Sequence, residues 1–587
     1  MRLFALLAAT LMASAASSMA GGPVTLSAYM TAHQVEAFAN DAEARENGLA
    51  RLQDLQYSGV VIEIYRGGLV VPLETLADVR DFWEDHGFTV KAGIATVPGG
   101  DIGVGDDGPL TWFNWEHPKT QEDMIRVMED AAPLFDTIIV DDFLCTHDTS
   151  EMSEEARGDR SWGEYRRELM TEMGERLFVE PVRRENPDAT VILKYPQWYD
   201  KFEQFGYDTA ELWRRFDLIW VGTETRSQYA QRFGFVQPYQ GFVNYRWMGS
   251  IAGGKQAGAW FDFGEAEPQD FLEQGYQTVL AGAQDIVVFN YGNIMDHAGA
   301  DWLSAHLPML QELARAVERE PVRGAMGYKP PNSKGENDIF IMDYMGMLGV
   351  PFVPTAHFPD DAPSLFLPTQ AAADDDAVDK ALAAAENGAH VVVTAGFLAA
   401  IGDAAGAWGV ETPVALELGK ASAVLTSDGA EDVEFGLNLA ATELAANGAE
   451  VLLTALHGEQ EVPFLLRHET GGGALFVMNT YTFTQDDYDA VGEVLLPPQR
   501  LGLLEIPREW ANALRAAFNE PLGYELDAPT RITLQPMGPE GAVFHNYQKE
   551  PTAFRLRLSH DPDFDTGDVT MDARSVRWLR EPVPPAP

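Results

Sequence analysis

The sequence is poor in cysteine and in positive charge. Cys145 is the only cysteine among 587 residues, so one chain can form neither an internal disulfide nor a multi-cysteine metal site. The 41 Lys and Arg residues face 90 Asp and Glu residues, which gives a formal net charge of −49 and makes nucleic acid and anionic membranes poor partners. No spacing of His, Cys and Asp typical of catalytic zinc recurs. We therefore expect neither a metal nor another cofactor.

Long apolar runs are also rare, and the one at the start of the sequence predicts export. Residues 3–16 are almost all apolar or small, and they follow Arg2. Ser18 and Ala20 then match the two small residues of a small-x-small cleavage site. The run is shorter than the roughly 20 residues of a membrane span. We expect residues 1–20 to be a signal peptide, with a periplasmic or secreted protein that has no membrane contact after cleavage.

The cleavage site gives a first testable prediction. The exported form should begin at Gly21, because Ser18 and Ala20 are the best-placed small residues after the apolar run. N-terminal sequencing of exported protein checks this expectation. Exported protein that still begins at Met1 would contradict it.

Eight β-rich runs alternate with amphipathic helical stretches in the first half of the sequence. The runs lie at 25–30, 59–65, 89–96, 137–142, 190–196, 218–223, 257–263 and 285–291. Several are nearly continuous apolar segments, as in parallel strands buried on both faces. Eight such repeats in about 300 residues are typical of a (β/α)8 TIM barrel. A doubly wound sheet, the alternative, usually has fewer strands and a glycine fingerprint that is missing here. We predict a catalytic barrel over 21–321.

The second half of the sequence predicts two smaller domains. Residues 321–336 are rich in Gly, Pro and Lys and indicate a linker. Short strands at 338–342, 390–394, 413–416 and 450–456, with helices at 376–387 and 398–404, favour a flavodoxin-like α/β domain over 322–470. Alternating runs at 474–479 and 531–534 favour a small β domain with a tail over 471–587.

In a barrel of this kind, functional side chains gather at the C-terminal ends of the strands. The candidate catalytic residues there are Asp141, Asp142 and Glu224. The candidate substrate-binding residues are Glu63, Arg66, Trp115, Lys194, Tyr195, Trp198, Arg226, Trp260, Asp262, Asn290 and Tyr291.

The chemistry of these residues points to carbohydrate. Cleavage of a glycosidic bond needs one carboxylate to attack or stabilise the anomeric carbon and a second group to protonate the leaving oxygen. The flat C–H faces of sugars pack on aromatic rings. A neighbouring Lys194 or Arg226 would hold a carboxylate ionised, as a nucleophile requires.

Each candidate also has a structural interpretation. Strand side chains alternate, so one of Asp141 and Asp142 must point away from the barrel axis and can simply cap a loop. Glu224 can be an ion-pair partner of Arg226, and Lys194 can belong to a structural ion pair. In the same way Asp262 can bond a loop, and Trp115 and Trp198 can be packing residues.

The order of the domains resembles the family 42 β-galactosidases, whose middle domain is similar to class I glutamine amidotransferases. The segments KPPNSKGENDIFIMDYMGMLGVPFVP (329–354) and VVVTAGFLAAIG (391–402) resemble the start of that domain and its central strand and turn. The segment TIIVDDF (137–143) and the later GTETR (222–226) also look like uncharacterised bacterial proteins related to glycoside hydrolases. The resemblance implies a glycosidase-type barrel with an amidotransferase-like middle domain.

The sequence departs from family 42 at the catalytic positions. Those enzymes carry Asn-Glu after strand four and Glu after strand seven, where this chain has Asp141-Asp142 and Asp262. A strand-four Asp with a strand-six carboxylate looks more like the α-galactosidase type of barrel. The middle domain lacks the cysteine that glutaminase chemistry needs, so we expect it to be structural and to offer a surface for a homo-oligomer.

These observations favour an exported glycoside hydrolase of the retaining type that acts on an oligo- or polysaccharide. Asp141 or Asp142 would be the nucleophile and Glu224 the acid/base. In a second arrangement the acid/base lies at strand four and Asp262 is the nucleophile. A non-catalytic carbohydrate-binding protein and a scaffold are the alternatives from other classes. An enzyme requires two carboxyl groups roughly 5 to 9 Å apart in one pocket.

Overall fold

The computed structural model describes residues 22–108, 110–141, 143–230, 232, 234, 236–411, 419–421, 423–425, 436–481 and 502–586. Eight parallel strands close into a barrel over its first part, because β1 pairs with both β2 and β8. The strands are β1 Thr25–Met30, β2 Gly59–Arg66, β3 Thr89–Ile94, β4 Thr137–Val140, β5 Thr190–Tyr195, β6 Leu218–Gly222, β7 Gln256–Asp262 and β8 Asp285–Phe289. The barrel predicted from the sequence is thereby confirmed.

Helices surround the barrel in the alternating order that the sequence predicts. They are α1 Ala32–Ala39, α2 Ala42–Asp54, α3 Leu73–Asp85, α4 Pro118–Ala131, α5 Glu151–Arg157, α6 Trp162–Gly174, α7 Glu180–Glu185, α8 Phe202–Phe205, α9 Leu212–Arg215, α10 Gln240–Ala252, α11 Pro268–Leu280, α12 Tyr291–Asp296 and α13 Ala298–Arg319. Local sequence fixes several of their starts. Thr31 with Gln34, and Ser161 with Glu164, form capping boxes that satisfy backbone N–H groups at the first turns of α1 and α6.

The middle domain is a mixed sheet with helices. Its parallel strands are β9 Ala325–Tyr328, β10 Phe352–Thr355, β11 Ser364–Leu367, β12 His390–Thr394 and β16 Ala474–Met478. Its antiparallel strands are β13 Ala423–Leu425, β14 Glu450–His457 and β15 Gln460–Glu469. The helices are α14 Ile341–Met347, α15 Ala377–Glu386 and α16 Ala395–Ile401. The strand predicted at 413–416 lies outside the described residues.

The linker predicted at 321–336 is wrong, because part of this segment is a core strand. β9 pairs with both β10 and β11. Gly327 is there for close packing, since a Cβ at this position would lie 2.1 Å from the ring of Phe352. Lys329 is buried and forms an ion pair with Asp200 of the barrel at 3.0 Å. The Gly, Pro and Lys content therefore marks a tight junction between domains.

Two further strand predictions are wrong. Residues 338–342 lie at the end of a short helical turn, Glu336–Asp338, and at the start of α14. A short buried apolar run has the same pattern in a strand and in a helix, so the sequence alone did not distinguish the two. The run at 474–479 belongs to the middle sheet, where β16 pairs with β12, and not to the C-terminal domain. The first half of the predicted helix at 398–404 lies in α16, which ends at Ile401.

The C-terminal region is rich in β-sheet, as predicted. It contains α17 Arg508–Asn519 and the strands β17 Tyr524–Asp527, β18 Ile532–Pro536, β19 Ala542–Asn546, β20 Thr552–Leu558, β21 Asp561–Asp565, β22 Val569–Met571 and β23 Ser575–Leu579. It is tied to the barrel through Arg574, which forms ion pairs with Asp270 and Glu273 of α11. This contact joins the C-terminal region to α11, which packs against β7.

Candidate active site

The inside of the barrel is an apolar layer capped by charge. Side chains from seven strands form one buried cluster. They are Tyr29, Val61, Ile139, Ile192, Trp220, Trp260 and Val287. Residues two positions further along a strand face the same side. Glu63, Asp141, Lys194 and Asp262 therefore follow Val61, Ile139, Ile192 and Trp260 into the C-terminal mouth of the barrel.

Lys194 stands between two candidate catalytic carboxylates. Its Nζ donates a hydrogen bond to Glu224 Oε1 at 2.6 Å and lies 3.6 Å from Asp141 Oδ1. All three side chains are almost completely buried. Because both oxygens lie so close to one nitrogen, they can be no more than about 6 Å apart, within the range that glycosidase carboxylates occupy.

Asp141 also faces a second cation. Its Oδ2 lies 3.7 Å from a terminal nitrogen of Arg66, so each oxygen of the carboxylate has a positive group nearby. Burial lowers the pKa of Arg66, but Glu63 and Asp141 raise it by more, so the guanidinium stays charged. Asp141 is therefore held as a carboxylate at the mouth of the barrel. Asp142, the other member of the predicted pair, lies outside the described residues.

Glu63 holds the Arg66 guanidinium in place through hydrogen bonds. Arg66 Nε and a terminal nitrogen donate to its carboxylate at 2.8 to 3.0 Å. Glu63 also accepts from the Tyr29 hydroxyl at 2.7 Å and from the backbone N–H of Ala32 at 2.7 Å. These bonds satisfy both oxygens of a fully buried carboxylate. Glu63 thus serves to place Arg66 beside Asp141.

A second ion pair lies on the β6–β7 side of the mouth. Arg226 donates from Nε to Asp262 Oδ1 at 3.0 Å and from a terminal nitrogen to Oδ2 at 2.7 Å. Asp262 Oδ1 also accepts from Gly264 N–H at 3.0 Å. The carboxylate is thus engaged by the bidentate arrangement that arginine favours. Arg226 pairs here with Asp262, while Glu224 bonds Lys194.

Aromatic rings form the floor below the charges. Trp260 lies between Tyr29 and Phe289, with ring centroids 4.6 and 5.9 Å away. Lys194 Nζ lies 4.3 Å from the Trp260 ring centroid. A ring face beneath an ammonium stabilises the cation in a buried setting. Trp260 therefore supports the position of Lys194.

Four predicted substrate-binding aromatics lie away from this cluster. Trp115 is fully buried and donates its indole N–H to the Cys145 carbonyl. Tyr195 bonds the Asp208 carbonyl and packs on Tyr207, as expected for a strand residue next to an inward-facing one. The other two are Trp198, packed between Phe202, Phe205 and Tyr207, and Tyr291, packed edge-on against Phe38. Their ring contacts are those of packing residues.

Asn290 lies at the mouth of the barrel, where its side-chain oxygen bonds other parts of the protein. Its Oδ1 accepts from Gln34 at 2.9 Å and from the N–H of Asn293, which caps α12. It therefore links α1, which follows β1, to the end of β8. Its side-chain nitrogen is the remaining group with which it could bond a ligand.

Three residues of the site escaped the sequence analysis. Tyr29 ends the inward face of β1, and Gly93 makes room for it, since a Cβ there would lie 2.7 Å from the Tyr29 hydroxyl. Gly222 similarly makes room for Glu224, whose Oε2 would lie 2.2 Å from an added Cβ. A strict period of two along β1, β3 and β6 would have placed all three at inward positions.

The described part of the chain contains no group of three or more His, Cys, Asp or Glu side chains arranged to hold a metal ion. Within the same residues, no helix is both long and apolar enough to cross a membrane.

Comparison with known proteins identifies the barrel. Residues 16–318 match the family described as "Probable glycosyl hydrolase, catalytic domain", and the chain belongs to this family. Residues 325–483 match a family described as "Uncharacterized protein SSO3021, second domain". The barrel and its charged mouth thus belong to a glycosyl hydrolase catalytic domain.

One curated relative and two solved structures illustrate how distant the similarity is. The chain is 24% identical over 368 residues to Uncharacterized protein SSO3021 of Saccharolobus solfataricus, covering 56% of this chain and 59% of the relative's length. The cold-adapted β-galactosidase from Rahnella sp. R3 shares 11% identity at a TM-score of 0.63, over 96% of this chain and 99% of that one. Alpha-L-fucosidase isoenzyme 2 from Paenibacillus thiaminolyticus shares 12% identity at a TM-score of 0.59, over 94% and 91%. The similarity to the solved structures shows a shared fold. Because the same fold occurs in enzymes that act on different sugars, it does not define the substrate.

Proposed function

We propose that this protein is an exported glycoside hydrolase that cleaves an oligo- or polysaccharide with retention of configuration. Asp141 is the nucleophile and Glu224 the acid/base. The observation that carries the proposal is the pair of buried carboxylates held within about 6 Å by Lys194. A retaining enzyme uses carboxyl groups roughly 5 to 5.5 Å apart, whereas an inverting enzyme needs more space for a water molecule.

The surroundings of Asp141 support its role as nucleophile. A carboxylate that attacks the anomeric carbon must be ionised, and it must leave again as a carboxylate in the second step. Lys194 and Arg66 face its two oxygens at 3.6 and 3.7 Å. Both distances exceed a direct hydrogen bond, so these two cations stabilise the negative charge through space.

The charge balance supports Glu224 as the group that exchanges a proton. Among the described residues, three carboxylates, Glu63, Asp141 and Glu224, lie beside two cations, Arg66 and Lys194. One proton added to these described groups leaves no net positive charge. Glu63 accepts donors on both oxygens and Asp141 faces two cations, whereas Glu224, of these two cations, faces Lys194 alone; a proton on Glu224 requires Lys194 to shift its hydrogen bond from Glu224 to Asp141.

The proposal is tested by reducing-end release from a panel of marine and plant glycans. We expect the wild-type protein to release reducing ends from at least one of them, and a variant carrying both Asp141→Asn and Glu224→Gln to release none. The double variant should still bind that glycan, because Asn and Gln preserve the shape of the site. Binding of a glycan by both proteins without release by either would show a carbohydrate-binding protein instead.

A further inference from the structure

The ends of β5 and β6 lie side by side at the candidate active site. Their parallel pairing runs as far as Tyr195 and Val221, and Pro196 and Gly222 follow it directly. Pro196 has no backbone N–H with which to continue the hydrogen-bond ladder. Gly222 lets the two backbones approach, since a Cβ there would lie 2.9 Å from the backbone nitrogen of Gln197. The sheet therefore does not hold the two strands together beyond this point.

A side chain of α10 joins the two strand ends. Asn244 Nδ2 donates a hydrogen bond to the Pro196 carbonyl at 2.8 Å and another to the Gly222 carbonyl at 2.9 Å. Asn244 is fully buried. The two carbonyl groups lie two residues after Lys194 and two residues before Glu224. One amide group thus bridges the strands next to the place where Lys194 bonds Glu224.

Helix α10 is itself held on two sides. On the barrel side, Gly241 packs against the segment after β6, since a Cβ at Gly241 would lie 3.2 Å from Thr223 Cβ. On the other side, Gln240 donates to Asp343 of α14 at 3.1 Å. Asp343 also accepts from the hydroxyl of Tyr199, in the segment after β5, at 2.8 Å. Asp343 therefore ties both α10 and the segment after β5 to the middle domain.

We propose that Asn244 is a positioning residue that fixes Glu224 beside Lys194, and that the middle domain holds Asn244 in place through α10. The proposal rests on the proposed function, in which Glu224 is the acid/base. A general acid must lie within hydrogen-bond reach of the oxygen that it protonates. A displacement of about 1 Å can cost about 10²-fold in rate. The middle domain then contributes to catalysis as well as to the fold.

Asn244→Leu tests the proposal, with Asn186→Leu as the matched control. Leucine is similar in size to asparagine but donates no hydrogen bond. Asn186 Nδ2 also bridges two carbonyl groups, those of Ala132 and Phe135, at 3.2 Å each, but these precede β4 at the opposite end of the barrel. We expect Asn244→Leu to lower kcat on a natural glycan about 10²-fold and to change KM less than about threefold. Asn186→Leu should leave both constants near their wild-type values.

Two measurements separate positioning from a loss of stability. In Asn244→Leu the first step on aryl glycosides with good leaving groups should change little, because these leaving groups need little protonation. A crystal structure of the variant should show Lys194 Nζ and Glu224 Oε1 farther apart than a hydrogen bond, against 2.6 Å in the wild-type protein. Asn244→Asp, which keeps the shape but places carboxylate oxygens against the two carbonyl groups, gives the same test if Asn244→Leu fails to fold.

An unchanged distance between Lys194 and Glu224 in the variant would overturn the proposal. Equal losses of activity on natural and aryl glycosides, or equal effects of Asn244→Leu and Asn186→Leu, would also overturn it. A wild-type protein that hydrolyses no glycan would contradict the proposed function instead. In that case the distance in the variant structure still decides whether Asn244 positions Glu224.

Discussion

Asp141→Asn is expected to lower kcat on the natural glycan by about 10³-fold or more, because the amide cannot form the covalent intermediate. The loss corresponds to roughly 4 kcal/mol of transition-state stabilisation. The fold should survive, since each neighbouring cation keeps another partner. Arg66 remains bonded to Glu63, and Lys194 to Glu224. Steady-state kinetics together with thermal unfolding measures both effects.

Asp262→Asn is the matched control for this prediction. Asp262 also lies at the barrel mouth and is also paired with an arginine, Arg226. We expect its loss to change activity by no more than about tenfold, with KM affected more than kcat, because this carboxylate positions a loop. A collapse of activity in Asp262→Asn with near-normal activity in Asp141→Asn would support the arrangement in which Asp262 is the nucleophile, with Asp142 as the strand-four acid/base.

Glu224→Ala is expected to lower turnover of natural glycans by about 10³-fold. The rate of the first step, formation of the glycosyl-enzyme, should change little on aryl glycosides with good leaving groups. Natural leaving groups need protonation by the acid, whereas activated phenols leave without it. Azide should then restore turnover in the variant and give a glycosyl azide of retained configuration, because Asp141 is intact. Product analysis by NMR follows this reaction.

Two results would change the assignment of Glu224. A glycosyl azide of inverted configuration would mark Glu224 as the nucleophile and exchange the roles of the two carboxylates. Unchanged turnover of natural glycans would remove Glu224 from the mechanism.

The matched variant Gly222→Ala should also lower activity, because a Cβ there would displace the Glu224 carboxylate from its position beside Lys194.

The barrel could be predicted from the sequence because its strands are buried on both faces. Such strands are continuous apolar runs, and eight of them alternate with amphipathic helices. The middle domain was harder to predict. Its first strand, Ala325–Tyr328, lies in a segment rich in Gly and Pro, and the apolar run at 338–342 forms the start of a helix. In both places the tertiary contacts decide the structure.

The candidate site could be predicted in part from strand alternation. The inward positions of Glu63, Asp141 and Lys194 follow from a period of two. The pairing of charges across strands could not be predicted, because it depends on how far and in which direction each side chain extends in the folded protein. Sequence proximity favoured a pair between Glu224 and Arg226, but Glu224 folds back over Gly222 to bond Lys194.

The aromatic residues show a second limit of sequence reasoning. Tryptophan and tyrosine near strand ends have both a packing and a sugar-binding interpretation. Trp115 and Tyr195 fill the space behind the barrel wall, where their polar atoms bond backbone carbonyls. Trp260 faces inward because it shares the face of Asp262 on β7. Strand parity separates Tyr195 from Trp260, whereas Trp115 lies in the loop after β3, where parity gives no signal.

The anomeric configuration of the first-formed sugar tests the proposed mechanism most directly. Proton NMR during hydrolysis of a natural glycan records this product before it equilibrates with its anomer. A carboxylate pair within about 6 Å predicts retention, with the same configuration as the substrate. An inverted first product would contradict a covalent intermediate on Asp141.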